Sequence, residues 1–359
     1  MKTEEIFSFE NLLAAHKLCR RSKQHKRGAI MFEIELARNL VRLTEELSKK
    51  TYKLGKYKVF TIYDPKQRLI EALPYKDRVV LMCFCKNVLE PILEKRLVYD
   101  NAASRQGKGS AFAVSRLYGF MRKLYINTGG NDSYFLKCDI AKYFQNINHE
   151  ILLKKLSECG FSADEMWFME IVVRSHGNSG VPLGNQTSQW FALLYLDEID
   201  RLIKERLRVH YYVRYMDDFV LLAENKDFLH RCRNEIERVC ADSLQLKLND
   251  KTQIGRLKDG VDFLGFNHKL TASGKIIKNV RAASKRRQQR YIKTIAHFYM
   301  RDVLDDDYLN VRINAFKAHL SGTGEWKYVR NRLQALKHRK KSFGMNTQTD
   351  KDSENKKQP

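Results

Sequence analysis

The chain has 359 residues, 43% of them hydrophobic, and sets 66 Lys and Arg against 42 Asp and Glu for a net charge of +24. That length buries a substantial core and holds two to three substructures, and the charge predicts a salt-dependent attraction to phosphate backbones, which non-catalytic nucleic-acid proteins share. Seven scattered cysteines and the lack of any apolar run near the roughly 20 residues that span a bilayer exclude a disulfide scaffold and a membrane partner.

In chain order, Met1-Lys2-Thr3-Glu4-Glu5 has no apolar core behind it, so no signal peptide is expected. With its thiols reduced, the protein is expected in the cytoplasm. Residues 1–54 predict a helical extension with a basic cluster at Lys17, Arg20, Arg21, Lys23, Lys26 and Arg27. That cluster is either an RNA or partner contact or a solvated helix face. Residues 55–130 mix strand and helix patterns. Tyr134 to Ile140 reads as a buried strand ending at Asp139, followed by a helix capped by Asn148. Ser162 with Glu165 makes a capping box for a helix through Met166, Phe168, Ile171 and Val172. Gly180 to Gln189 is a Gly/Pro-punctuated loop opening a long helix through Trp190, Phe191, Leu194, Ile199, Leu202 and Ile203. Its glycines permit close backbone approach, and a helix N-terminus favours phosphate.

Tyr215-Met216-Asp217-Asp218 lies between the apolar runs Tyr211-Tyr212-Val213 and Phe219-Val220-Leu221-Leu222, which predicts a hairpin with the acids at its tip. Two such acids are costly unless a cation holds them, although Asp is also an ordinary turn residue. Asp139, 78 positions before Asp217 (217 minus 139), ends an apolar strand beside a strand-to-helix connection, a common place for an α/β active site. If the fold joins these acids, oxygen ligands for two hard cations result, suited to nucleotidyl transfer. From residue 276 the pattern is helical and basic, with Lys278, Arg281, Lys285, Arg286, Arg287, Arg290 and Lys293 and no acid up to residue 300. Residues 345–359 lack a hydrophobic core pattern and are expected to be disordered.

In order, these motifs resemble a reverse transcriptase: an aspartate strand, a Pro-x-Gly loop and helix, then a Tyr-x-Asp-Asp hairpin. Leu246-Lys247-Leu248-Asn249-Asp250-Lys251-Thr252 and Phe263-Leu264-Gly265-Phe266 resemble the next two motifs. Upstream, Asp64-Pro65-Lys66-Gln67-Arg68 and Pro74 to Val80 resemble the fingers, and Arg105-Gln106-Gly107-Lys108-Gly109-Ser110 the connection before the palm. The resemblance covers roughly residues 55–340 and implies an α+β right-hand polymerase fold. Its parts would be fingers at 55–130, palm at 131–275 and a short helical thumb at 276–344.

Group II intron and retron enzymes usually carry Pro-Gln-Gly followed by Ser-Pro. This chain has Pro182-Leu183-Gly184 and Ser188-Gln189, which resembles the reverse transcriptases of diversity-generating retroelements. Those enzymes copy a template-repeat RNA into cDNA with errors at template adenines, diversifying a target gene. The resemblance implies Asp139, Asp217 and Asp218 as catalytic residues. With the Ile140 carbonyl they would hold two Mg²⁺ ions. It implies nucleotide contacts from Lys66, Arg68, Phe144, Leu183, Gly184, Gln189 and Lys251. Phe144 would be a steric gate against the ribose 2′-hydroxyl, although Gln145 follows where intron-type enzymes often have Asp. Leu183 lacks the hydrogen bond that a Gln makes near the incoming sugar. Lys278, Arg281, Lys285, Arg286 and Arg290 would grip the template–primer duplex. The implied partners are template RNA, primer and cDNA, dNTPs and a small basic ring-forming accessory protein. Two other readings stay open: another bacterial reverse transcriptase (retron, intron or phage-defence type), or a catalytically silent RNA-binding scaffold.

Overall fold

A computed structural model describes residues 1–63 and 67–354, with side chains through residue 340. The chain divides into two compact units, one of Met1–Phe120 with Tyr134–Ile254, the other of Met121–Ser133 with the chain from Gly255 onward.

In the first unit, helices α1 (Thr3–Ile6), α2 (Phe9–Arg20), α3 (Arg27–Ile34) and α4 (Leu36–Ser48) precede a hairpin of β1 (Lys58–Ile62) and β2 (Arg68–Ala72). α4 buries Leu40, Leu43 and Leu47, the three- and four-residue spacing of one helix face. α5 (Tyr75–Phe84) runs through a π turn at Cys85–Leu89 into α6 (Glu90–Arg96). α7 (Ser110–Thr128) leaves the first unit after Phe120. β3 (Tyr134–Cys138) then leads through a short 3-10 turn, Tyr143–Gln145, to α8 (His149–Ser157) and α9 (Ala163–Arg174). The expected caps form: the Asn148 side chain accepts from the N–H groups of Glu150 (2.9 Å) and Ile151 (3.1 Å). Ser162 and Glu165 bond reciprocally at 3.4 and 2.7 Å.

The long helix expected after the glycine loop is instead two, α10 (Gln186–Tyr195) and α11 (Asp197–Arg201), with a π turn at Leu202–Arg206. The break falls at Leu196, where Asp197 is buried between Arg96 at 3.1 Å and Arg201 at 3.0 Å. A tertiary ion pair overrides an uninterrupted helical pattern. β4 (Tyr211–Tyr215) and β5 (Asp218–Ala223) follow, then α12 (Lys226–Asp242), which packs on β3 and β5. β5 runs antiparallel to both neighbours, with Cys138 of β3 opposite Phe219 and Tyr215 of β4 opposite Asp218. The apolar faces of this sheet and α10 supply the core, with Trp190, Phe191, Leu194, Tyr212, Phe219 and Leu221 buried. In β6 (Gln253–Arg256) the chain passes to the second unit.

The second unit contains a meander of β7 (Val261–Phe263), β8 (Phe266–Leu270) and β9 (Ile276–Val280), then α13 (Ala282–Tyr299), α14 (Asp306–Leu320) and α15 (Gly324–Glu354). Phe263 pairs with Phe266 across a two-residue turn in which Leu264 (φ 48°) and Gly265 (φ 91°) are both left-handed. That geometry explains the glycine of the Phe-Leu-Gly motif. Helix was expected from 276, yet Ile276–Val280 is a strand whose β-branched residues pair with β8, and helix begins at Ala282. Phe266, Val280, Ile292, Tyr299, Leu309 and Leu333 form a separate small core. The tail expected to be disordered is helical as far as Glu354 and lies outside the described residues beyond it. No Gly or Pro stands between Asn346 and Glu354 to stop the helix.

The glycine loop is fixed by backbone geometry. Gly180 has φ 82°, its N–H donates to the Ile147 carbonyl at 2.8 Å, and a Cβ there would meet the Gln145 carbonyl oxygen at 2.8 Å. We expect Gly180→Ala to lower stability by about 1–3 kcal/mol, read as a shift in the midpoint of urea unfolding; an unchanged midpoint would contradict this account of the loop.

Candidate active site

β3 delivers Asp139 one residue past its last ladder pair, Cys138 opposite Phe219. The facing hairpin closes on Met216 and Asp217, because Tyr215 already pairs with Asp218. Asp217 therefore sits in the turn, whereas Asp218 begins β5. Met216 has φ 56°, a left-handed conformation costing a non-glycine residue on the order of 1 kcal/mol. Since β3 and β5 are neighbours, Asp139 and Asp217 meet at one end of the sheet.

Their charges interact. Burial first, then the Asp139 carboxylate beside it, push the Asp217 carboxyl up to about 6, and Asp218 adds to the push. Asp218 has its own counter-ion: Lys137 Nζ donates to its Oδ1 at 2.6 Å. Asp218, expected among the metal ligands, thus has one carboxylate oxygen already engaged by an ammonium.

The residues present fit a divalent cation. Asp139 and Asp217 are hard oxygen donors whose mutual repulsion a cation would relieve. Ile140 bridges to Leu248 through the bonds of its neighbours, Asn249 N–H to the Asp139 carbonyl at 2.7 Å and Ala141 N–H to the Lys247 carbonyl at 2.9 Å. The Ile140 carbonyl takes no part in that bridge. Among the described residues no three or more His, Cys, Asp or Glu side chains gather as a metal cage. An open pair completed by phosphates and water is the arrangement Mg²⁺ commonly takes.

The glycine loop rests on two supports. Val181 N–H donates to the Phe144 carbonyl at 2.8 Å, and the Leu183 carbonyl accepts from Glu71 N–H of β2 at 3.2 Å. Gly184, at φ 143°, leaves room that a Cβ would fill, 2.7 Å from the Glu71 carbonyl oxygen. Leu183 is half-buried, and Phe144 is half-buried and edge-on to Tyr143 at 5.6 Å. Gln189, expected to touch nucleotide, accepts from the Ser104 hydroxyl at 2.6 Å and so ties α10 to the segment before α7. Arg68 is exposed at the start of β2. Lys66 lies outside the described residues. Lys251 is exposed on a turn closed by its N–H to Asn249 Oδ1 at 3.0 Å.

Within the second unit the expected basic residues separate. Arg286 and Arg290 line a hollow with Lys293, Tyr328 and Arg332. Arg281 stands just before α13 at its N-cap position, with no capping bond from its side chain, and is exposed. Lys285 is paired with Glu325 at 3.4 Å. Lys278 lies on β9, not a helix, with its ammonium 3.9 Å from the centre of the Phe266 ring.

Two features escaped the reading of the sequence. A small hollow lined by Arg21, Lys23 and Arg78 borders Gly184 and Gln186, with no acid in its lining. It joins part of the N-terminal basic cluster to the glycine loop. The second feature is a fully buried ion pair beneath the hairpin, Arg214 with Asp200. An Arg inside the apolar strand Tyr211–Tyr215 was the signal that could have found it.

The reverse transcriptase (RNA-dependent DNA polymerase) family matches residues 32–268, a span that includes Asp139, Asp217 and Asp218. The chain belongs to this family. No curated protein matches. Among solved structures, telomerase from Candida albicans in complex with a TWJ fragment of telomeric RNA is similar, with a TM-score of 0.50 and 14% identity over 79% of this chain. Apo telomerase from Candida tropicalis gives a TM-score of 0.48 and 13% identity over 63% of this chain. This chain covers 55% and 49% of those proteins, about half their length. At such identity the Candida albicans likeness speaks for the fold alone, a right-hand polymerase fold of mixed α and β structure. Reverse transcriptase domains generally use divalent metal ions. Among the described residues no helix is long and apolar enough to cross a membrane, and the seven cysteines are unpaired.

The raised Asp217 carboxyl sets a pH dependence. With its folded value near 6 and the ordinary value at 3.8, the folded state binds more protons, so this group costs stability increasingly as pH rises through that window. We expect Asp217→Asn to raise the melting temperature of the metal-free protein at pH 8 and to leave it nearly unchanged at pH 4. Added Mg²⁺ should raise the wild-type value at pH 8 and leave Asp217→Asn unmoved. Calorimetry of both proteins at both pH values checks this, and an equal response of the two to Mg²⁺ would remove Asp217 from the metal site.

Proposed function

We propose that this chain is an RNA-directed DNA polymerase working on template RNA, a primer and dNTPs. The observation that carries the reading is the meeting of Asp139 and Asp217 at one end of an antiparallel sheet, with a charge repulsion that a cation would relieve. Held by Asp139, Asp217 and the Ile140 carbonyl, two Mg²⁺ ions would supply activation of the primer 3′-hydroxyl and neutralisation of the departing pyrophosphate. The primer oxygen attacks the α-phosphate in line, so the protein forms no covalent intermediate. Lys137 keeps Asp218 neutralised beside the pair. Arg68, with Lys66, holds the triphosphate through phosphate-matched donors. Phe144 stands against a 2′-hydroxyl, and Lys251 donates a proton to the leaving pyrophosphate.

In this reading residues 55–130 are fingers, 131–275 palm and 276–344 thumb, with 1–54 an N-terminal extension. Arg281, Arg286 and Arg290 grip the duplex. The hollow of Arg21, Lys23 and Arg78 takes template phosphate.

Within the family, we assign the chain to a diversity-generating retroelement, copying a template-repeat RNA with errors at adenines and working with a small basic accessory protein. Leu183 supports this. It sits in the loop tied to β2 and to the Phe144 turn, yet can make no hydrogen bond to a sugar. A mispaired nucleotide is then rejected less strongly.

Primer extension on a defined RNA template with Mg²⁺ and dNTPs, with sequencing of the cDNA, tests both levels. We expect product, with errors concentrated opposite template adenines. Accurate cDNA would keep the polymerase and select another bacterial reverse transcriptase. Asp217→Ala should lower synthesis by at least about 1,000-fold while sparing RNA binding in a filter assay. Synthesis that survives this change would sink the metal assignment, and a wild type that binds RNA but never extends a primer would favour the silent scaffold.

A further inference from the structure

The Asp217 turn is held from below by a side chain that the reaction does not use. Arg214 and Asp200 are both fully buried. Arg214 Nε donates to Asp200 Oδ1 at 2.7 Å and Nη2 donates to Asp200 Oδ2 at 2.5 Å, a bidentate pair. The Tyr212 hydroxyl donates to the same Asp200 at 2.5 Å. The rest of the guanidinium faces backbone: Nη2 donates to the Leu193 carbonyl near the end of α10 at 3.1 Å, and Nη1 to the Met216 carbonyl at 3.0 Å. The main chain of Arg214 is fixed as well, its N–H donating to the Asp100 carbonyl at 3.1 Å and its carbonyl accepting from Ala102 N–H at 2.9 Å.

Met216 is the left-handed residue of the hairpin, and its carbonyl belongs to the peptide that joins it to Asp217. That peptide has two reasons to move. Its conformation is strained, and Asp217 is repelled by Asp139. The bond from Arg214 opposes both, because the guanidinium is planar, charged at all pH values of interest and anchored by Asp200 and Tyr212. We propose that Arg214, braced by Asp200 and Tyr212, is a positioning residue that fixes the Met216–Asp217 peptide and so presents Asp217 to a divalent cation shared with Asp139. The inference rests on the carboxylate pair as the metal site proposed above.

The probe is Mn²⁺, with unbound ion counted by electron paramagnetic resonance in the full-length chain. Folding is monitored in parallel by circular dichroism. Arg214→Gln should weaken Mn²⁺ binding by about 10-fold or more, the usual cost of losing a partner that orients a metal ligand. The Mn²⁺ concentration that half-saturates primer extension should rise in step, with the maximal rate partly recovered at high Mn²⁺. Should Arg214→Gln fail to fold, Tyr212→Phe removes only the brace and should weaken Mn²⁺ binding by about 3-fold. Variants that melt earlier but keep the wild-type Mn²⁺ midpoints would overturn the inference and leave Arg214 a core residue. A wild type that binds Mn²⁺ no better than Asp217→Asn would instead overturn the carboxylate reading, and this inference with it.

Discussion

Repulsion between two carboxylates, Asp139 and Asp217, is the constraint around which the first unit is arranged. Burial and proximity raise the Asp217 carboxyl to about 6, a cost borne by folding that a bound cation would relieve. Stability would be better served by separating the acids or by pairing each with a lysine. Among the described residues the fold gives a salt-bridge partner to Asp218, through Lys137, and none to the other two. Two carboxylates left side by side are hard oxygen donors of the kind a divalent cation fits.

Holding that arrangement takes unusual chemistry beneath it. Arg214 and Asp200 have no solvent exposure, and a buried ion pair seldom adds stability over well-packed apolar residues, although breaking one typically costs about 3–5 kcal/mol. Its value lies in geometry. One guanidinium reaches α10, α11 and the Met216 carbonyl at once, so three elements that share no local sequence signal are locked in one register. The left-handed Met216 then persists because its surroundings over-determine it.

The glycine loop shows the same economy of backbone contact. Gly180 and Gly184 lie against carbonyl oxygens where no Cβ fits, and between them Leu183 is tied to β2 through its carbonyl. The loop thereby connects the strand that carries Arg68 to the turn that carries Phe144. Leu183 thus has its place set by main-chain bonds, while its side chain contributes only apolar surface.

Much of this was legible in the sequence because it is local. Alternation around Tyr215 to Asp218 fixed the hairpin, Asn148 and the Ser162–Glu165 pair fixed two helix starts, and the order of motifs identified the family. The sequence also contained the acids, although not their meeting, since 78 positions separate Asp139 from Asp217. What it misjudged depends on distant partners. The helix after the glycine loop breaks at Leu196, where Asp197 turns to Arg96 and Arg201. Residues 276–280 become a strand because β8 offers them a ladder. Lys278, expected on a helix, lies on that strand with its ammonium 3.9 Å from the centre of the Phe266 ring. The tertiary structure alone decided that, among the described residues, Asp218 has a salt-bridge partner and Asp217 has none, and that Arg214 is a strut. Periodicity and capping report on neighbours within a turn or two of chain, whereas charge pairing is settled by whichever groups the fold brings within a few ångströms.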